Sequence, residues 1–220
     1  MRIVLLMKRN EVVPRIAIRG IFHCLFPDFC YTRSMNEHKL FFGIPLSGRL
    51  RTRLSLTAKE WEKYPLFLTR SDNLHVTVLF LGFVKPEAIA DISVVAREAC
   101  AGIEPFDMTF SEIALAPESD DAKMIWLSGE PSEELRVLRT AFERAFLEKL
   151  AENKSFRPHV TLARIRRNLW NALPVESKPM FPMTVAFSEP VSSVVLFESV
   201  SSGVNRQYLP MEEFPLGMMD

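Results

Sequence analysis

The sequence predicts an α+β fold, on three observations. Strand-like and helix-like stretches fall into two roughly matching halves, without the regular strand-helix alternation of a parallel sheet. Each half holds a strand with the same short motif, in Leu74-His75-Val76-Thr77-Val78 and in Pro158-His159-Val160-Thr161-Leu162, although the chain has only four histidines. Hydrophobic residues make up 48% of the 220 and the mean hydropathy is +0.06, the balance of a chain that buries a core as one domain or two small lobes.

Taken in order, a strand is expected over 38–46 and a helix over 47–63. A strand over 73–83 has Asp72 or Asn73 at its entrance, and a helix over 86–103 opens on Pro86-Glu87, where proline lacks only an N–H that a first turn leaves unpaired. Strands follow near 106–116 and 122–129. Pro131-Ser132-Glu133-Glu134 marks the start of a helix over 131–152, whose Leu135, Leu138, Phe142, Ala145, Phe146 and Leu150 recur at helical spacing and are expected to face a sheet. A strand over 157–165 carries the second motif. After it, a loop crowded by Pro174, Pro179 and Pro182 is expected at a cleft rim, and strands near 182–188, 191–199 and 206–211 close the chain.

Residues 1–34 differ in composition from the rest. They hold six of the 27 basic residues and two of the 27 acidic ones, and are expected to form a weakly ordered extension before a domain spanning 35–220. Their apolar run ends at Lys8-Arg9 with no small-residue cleavage site after it, so no signal peptide is expected. No apolar run approaches the 18 or so residues of a membrane span. A cytoplasmic location and a monomer are expected. Cys24, Cys30 and Cys100 make no disulfide framework, and His23 beside the first two lacks a fourth metal ligand. Reduced thiols, no metal and no cofactor are expected.

A formal charge of zero argues against a generally basic nucleic-acid-binding surface, so any phosphate contact must be local. The densest basic stretch, Arg157, Arg164, Arg166 and Arg167, surrounds the second motif. In a strand, residues i and i+2 share a face, so each motif presents an imidazole beside a hydroxyl. Val76, Val78 and Phe80 take the opposite face of one strand, Val160 and Leu162 that of the other. If the two strands face each other, two histidines and two threonines converge in one volume, a set suited to phosphoester chemistry. One imidazole can remove a proton while the other supplies one, with no metal required. Thr77 and Thr161 can donate hydrogen bonds to phosphate oxygens, as can Arg157. Arg164 falls on the wrong face unless the strand bulges.

His75-Val76-Thr77 followed by Leu79-Phe80-Leu81-Gly82, and Arg157-Pro158-His159-Val160-Thr161-Leu162-Ala163-Arg164, resemble the two-histidine phosphoesterases. More narrowly, they resemble the RNA 2′,3′-cyclic phosphodiesterases, also called the 2′-5′ RNA ligase family. Lys39-Leu40-Phe41-Phe42-Gly43-Ile44-Pro45 is similar to the family's opening strand, and Phe197-Glu198-Ser199, Tyr208 and Phe214-Pro215-Leu216 to its closing strands, so the likeness covers Met35 to Leu216. It implies two pseudo-twofold-related lobes, each an antiparallel sheet with outer helices, and an active-site cleft between the sheets. It also implies catalytic His75 and His159 acting on RNA 2′,3′-cyclic phosphate ends or a small nucleotide cyclic phosphate, with His75 protonating the leaving 3′ oxygen and His159 activating water to leave a 2′-phosphate. Ligation of 2′-5′ ends or cleavage of 2′-5′ linkages would use the same histidines, and an RNA-end binding module without turnover is the non-enzymatic alternative. Phe42, Phe80 and Tyr208 are the aromatic candidates for stacking a base. His38 and His23 are read as ordinary surface or packing residues.

Overall fold

Nine strands in two antiparallel sheets carry the described part of the chain, residues 37–119, 121–146, 156–202 and 205–217 of a computed structural model. The order is β1 (His38–Pro45), α1 (Gly48–Lys59), β2 (Leu66–Leu68), β3 (His75–Val84), α2 (Ile89–Ala101), β4 (Phe106–Ala116), β5 (Met124–Ser128), α3 (Glu133–Phe146), β6 (His159–Ile165), α4 (Arg167–Asn171), β7 (Met183–Val191), β8 (Ser193–Ser202) and β9 (Asn205–Pro215). Short 3-10 turns at Ser71–Asn73, Pro86–Ala88 and Val175–Ser177 join them.

The first sheet runs β3-β1-β8-β9 and the second β2-β6-β5-β4-β7. Setting β3 against β6 aligns the remainder: β1 with β5, β8 with β4, β9 with β7. The pseudo-twofold likeness of the lobes therefore holds at the level of strand order, and β2 is an addition to the second sheet alone. Each motif strand is reached from its neighbour through a helix, β1-α1-β3 and β5-α3-β6, but each helix crosses over to cover the other sheet. Ser47 caps α1, and both its N–H and its hydroxyl donate to the carboxylate of Glu189 on β7, which is only 2% exposed. Arg53 of α1 also lies over the Phe187 ring of β7, at 4.5 Å. Conversely, α3 sets Phe142 and Phe146 against Phe42 of β1, and its Arg139 donates to the Val78 carbonyl of β3 at 3.0 Å. Beside it, α2 is held to β9 by Ser93 and Arg97 on Glu212.

The main core is a cluster reaching from Leu40, Phe42, Ile44, Val76 and Val78 through Leu138 and Phe142 to Ile125, Leu127, Val160 and Ala163, and Phe41, Val195 and Phe197 form a second, smaller one with Tyr208 against it. Burying each large apolar side chain contributes about 1.5–3 kcal/mol. Most of the α3 stripe is buried, but Ala145 is exposed, because Phe142 and Phe146 one turn apart already fill the contact; Leu150 lies outside the described residues. Phe42 is 0% exposed, so it is core and not a base platform. The expected helix over 47–63 ends at Lys59, and β2 follows within residues expected to form a loop. The proline-rich segment expected at the cleft rim is anchored on the helix side of the second sheet, where Phe181 meets Trp61 edge-on at 5.6 Å. Cys100 is buried in α2, and burial pushes its thiol up to about 12, so it stays protonated and unreactive. The N-terminal extension, with His23, Cys24 and Cys30, lies outside the described residues.

Candidate active site

Both histidines open their strands, and the two strands pack against each other between the sheets. His75 pairs with Pro45 and Thr77 with Gly43 in the β3–β1 ladder; His159 pairs with Ser128 and Thr161 with Trp126 in the β6–β5 ladder. Alternation therefore sets the imidazole and hydroxyl of each motif on the face away from the core, while Val76, Val78, Val160 and Leu162 are buried.

Immediately after each threonine the ladder skips one residue. Gly43 faces Thr77 but Phe42 faces Leu79, and Trp126 faces Thr161 but Ile125 faces Ala163. The extra residues, Val78 and Leu162, are β-bulges, and a bulge inverts the facing of everything beyond it. Phe80 thus does not join the core with Val76 and Val78, as simple alternation expects; it stands 67% exposed on the histidine face, paired with Phe41. At the corresponding position of the other strand Arg164 also reaches the histidine face, so the bulge that its participation required is present. Arg157 lies two residues before His159 and is ion-paired with Glu112, which shares its face with Ser128.

The imidazoles are held alike. Nδ1–H of His75 donates to the Asn73 carbonyl at 2.7 Å, and Nδ1–H of His159 to the Arg157 carbonyl at 3.0 Å. A carbonyl oxygen only accepts, so each Nδ1 carries the proton and each Nε2 is left for chemistry. Nε2 of His75 lies 3.1 Å from Thr77 Oγ1. Their surroundings differ. His75 sits among the rings of Phe41 at 4.9 Å, Tyr208 at 5.0 Å and Phe197 at 5.9 Å, whereas His159 stacks on Trp126 at 3.8 Å with 21° between planes. Burial depresses the His75 pKa to about 4 against the opposing pull of the Asn73 carbonyl, and the charge of His159 lowers it further. The His159 pKa is lowered too, by burial first and by the nearby Arg157 charge, while its own carbonyl partner raises it.

Three residues of this arrangement were not singled out for the site from sequence. Asn73 is 8% exposed; its Nδ2 donates to the Arg206 carbonyl at 2.7 Å and its Oδ1 accepts from Tyr208 N–H at 3.1 Å. One residue thereby ties β9 to the carbonyl that orients His75, across a sheet in which β3 and β9 are the two opposite edges. A Cβ at Gly43 would stand 3.1 Å from His75 Cδ2, so only glycine leaves that ring its place without displacement. Trp126 supports the other ring; alternation along β5 sets it on the same face as Ser128, the residue opposite His159. Of the aromatic candidates, Tyr208 packs on His75, and Phe80 alone stands open on this face. His38 pairs with Glu198 at 2.8 Å, a packing role as expected.

A family model described as the 2′-5′ RNA ligase superfamily matches residues 49–192, a span that contains both motifs. A relative in Aeropyrum pernix named RNA 2′,3′-cyclic phosphodiesterase is 33% identical over 158 residues, 70% of this chain and 85% of that protein. One of the same name in Archaeoglobus fulgidus is 27% identical over 133 residues, 59% of this chain and 73% of that protein. Among solved structures, E. coli LigT complexed with NADP+ superimposes with a TM-score of 0.68 at 23% identity, covering 83% of this chain and 100% of that one. TT0787 of Thermus thermophilus gives 0.68 at 22%, covering 81% and 98%. At those identities the likeness to LigT and TT0787 is one of fold.

Proposed function

The chain belongs to the 2′-5′ RNA ligase superfamily, and on that premise we propose that it hydrolyses RNA 2′,3′-cyclic phosphate ends to 2′-phosphates, with His75 and His159 as the proton-transfer groups. The observation that supports this most is the matched pair of imidazoles, each with Nδ1–H committed to a backbone carbonyl two residues earlier, so that the lone pair of each ring is at Nε2, which in His75 lies within hydrogen-bond reach of the Thr77 hydroxyl.

In the proposed step His159 Nε2 takes a proton from water as the oxygen attacks phosphorus. The bond from phosphorus to the 3′ oxygen breaks, and His75 Nε2–H protonates the departing oxygen. Thr77 and Thr161 donate to the non-bridging oxygens, whose charge grows in the transition state, and Arg157 adds a guanidinium on the same side. Both proton transfers are covered by imidazoles, so the step needs no metal. His75 must enter protonated although its free value is about 4. One phosphate charge some 4 Å away contributes about 4 kcal/mol at an effective dielectric constant near 20. That is about three pKa units, enough to bring the bound histidine near neutrality. Phe80 is the proposed platform for the terminal base.

The test is a short RNA ending in a 2′,3′-cyclic phosphate, incubated with the protein in EDTA, with the 2′- and 3′-phosphate products separated. Wild type is expected to give the 2′-phosphate, and His75→Ala and His159→Ala each to lose about 10³-fold in kcat. Turnover that survives either substitution would overturn the assignment.

A further inference from the structure

The two imidazoles meet aromatic rings in different ways. Around His75 the rings of Phe41 and Phe197 are tilted by 37° and 38° and that of Tyr208 stands edge-on at 88°, so none of the three lies parallel to it. His159 instead lies face to face with the Trp126 indole, 3.8 Å between ring centres and 21° between planes. The strand register explains the contact. Ser128 is directly opposite His159 and Trp126 directly opposite Thr161, so indole and imidazole are diagonal neighbours on one sheet face, a separation that aromatic side chains bridge. On its other flank Trp126 faces Ala114 of β4, a short side chain that leaves the indole room. The indole N–H is buried and meets no acceptor among the described residues. A buried donor without a partner costs free energy, and a phenyl ring would fill much of the same space without that cost. What tryptophan adds over phenylalanine, beyond the idle N–H, is the aromatic face that attracts a cation most strongly.

We infer that Trp126 is a positioning residue whose ring face holds and stabilises the imidazolium that His159 becomes when it takes the proton from water. This rests on the proposed mechanism, in which His159 gains a positive charge and His75 gives one up. The proton passes from the attacking water to His159 Nε2, Nδ1–H stays on the Arg157 carbonyl, and the doubly protonated ring lies flat on the indole. Among the described residues, the other charged or titratable groups on this side are Arg157 before β6, Glu112 of β4, which is ion-paired with Arg157, and His75 of β3, while β5 presents the uncharged Ser128 and Trp126. Burial and the Arg157 charge work against a charge on His159; the Arg157 carbonyl works for it, and the indole face joins the carbonyl.

The test replaces tryptophan throughout the protein by its mono-, di- and trifluoro analogues, which keep the shape of the indole and draw electron density progressively from its face. Because the Trp126 N–H has no acceptor, fluorination has no hydrogen bond there to strengthen. Trp61 and Trp170 pack against Phe181 and Tyr64, and His75, ringed by phenylalanine and tyrosine, is the internal control. The His159 titration midpoint, read by ring NMR in the resting protein, is expected to fall stepwise, by about half a pH unit over the series, while that of His75 moves much less. The single-turnover rate on an RNA 2′,3′-cyclic phosphate end at pH 7 is expected to fall in the same order, about twofold in all. A His159 midpoint that stays constant across the series overturns the inference, as does a falling midpoint with a constant rate. If the unsubstituted protein turns over no cyclic phosphate, the catalytic reading fails by itself and the midpoint alone judges the indole: a stepwise fall supports its hold on the imidazolium, and a constant midpoint overturns it.

Discussion

Two imidazoles with the same backbone tether end up with different electrostatics because of what surrounds each ring. The aromatic cage around His75 withdraws it from water, and the cost of charging it there outweighs the carbonyl that would welcome its proton. On the proposed mechanism one histidine must be neutral and one protonated, so kcat/KM is expected to rise with pH through the lower of the two free-enzyme pKa values and to fall through the higher. Both lie below the ordinary 6.5, so the kcat/KM optimum is expected below pH 6.5, with the kcat optimum displaced upward once the phosphate is bound. A kcat/KM still climbing at pH 8 would contradict this. The same burial bears on stability. A histidine at 6.5 unfolded and about 4 folded stabilises the fold fully above pH 6.5, and that contribution drains away as pH drops toward 4, about 3 kcal/mol in all. The melting temperature of wild type is therefore expected to fall more between pH 7 and pH 4.5 than that of His75→Gln; parallel falls would refute it. Asn73→Ala is expected to lower kcat tenfold or more with KM little changed, and to loosen the single Nδ1–H tautomer of His75 as read by nitrogen NMR; an unchanged tautomer would leave Asn73 a purely structural residue.

Among the elements, the two bulged strands matter most. Gly43 sits opposite Thr77 at the point where β3 takes in its extra residue. Gly43→Ala is expected to displace the His75 ring by a few tenths of an ångström and cut kcat several-fold, while the melting temperature moves little; a kcat equal to wild type would show that the ring has slack. Alternation in each His-x-Thr stretch was enough to set its histidine and threonine on one face of its own strand, and the i, i+3, i+4 stripe of α3 was enough to bury Leu135, Leu138, Phe142 and Phe146. Alternation fails beyond Thr77 and Thr161, because a bulge is decided by the partner strand as much as by local residues. Phe80 and Arg164 were therefore the residues whose facing pattern could not decide. β2 escaped for a related reason: three residues beside Pro65 carry little periodicity, and only the pairing with β6 makes them a strand.

At the scale of the molecule, the exchanged helices make the lobes interdependent. All three tryptophans, Trp61, Trp126 and Trp170, sit in the second sheet or against the helices that cover it, so their fluorescence reports that lobe, whereas far-ultraviolet circular dichroism reports both. Because α1 and α3 each belong by sequence to one lobe and by packing to the other, the two signals are expected to give coincident urea transitions. Separate midpoints would show that the lobes unfold independently. A family of this kind was legible from the paired motifs, but the exchange was not, since the amphipathic stripe of α1 or α3 says that a helix must cover a sheet and nothing about which one.

Asn73 looks different when the first sheet is considered as a curved ribbon. Its amide offers one donor and one acceptor to the backbone of β9, the same pair of groups that a peptide unit of a neighbouring strand would offer. A single side chain thus stands in for a missing rung between the two free edges, and the open sheet is latched at one end like a barrel with one stave left out. His75 and Tyr208 meet edge-on beside that latch, so it fixes how closely the two rings approach.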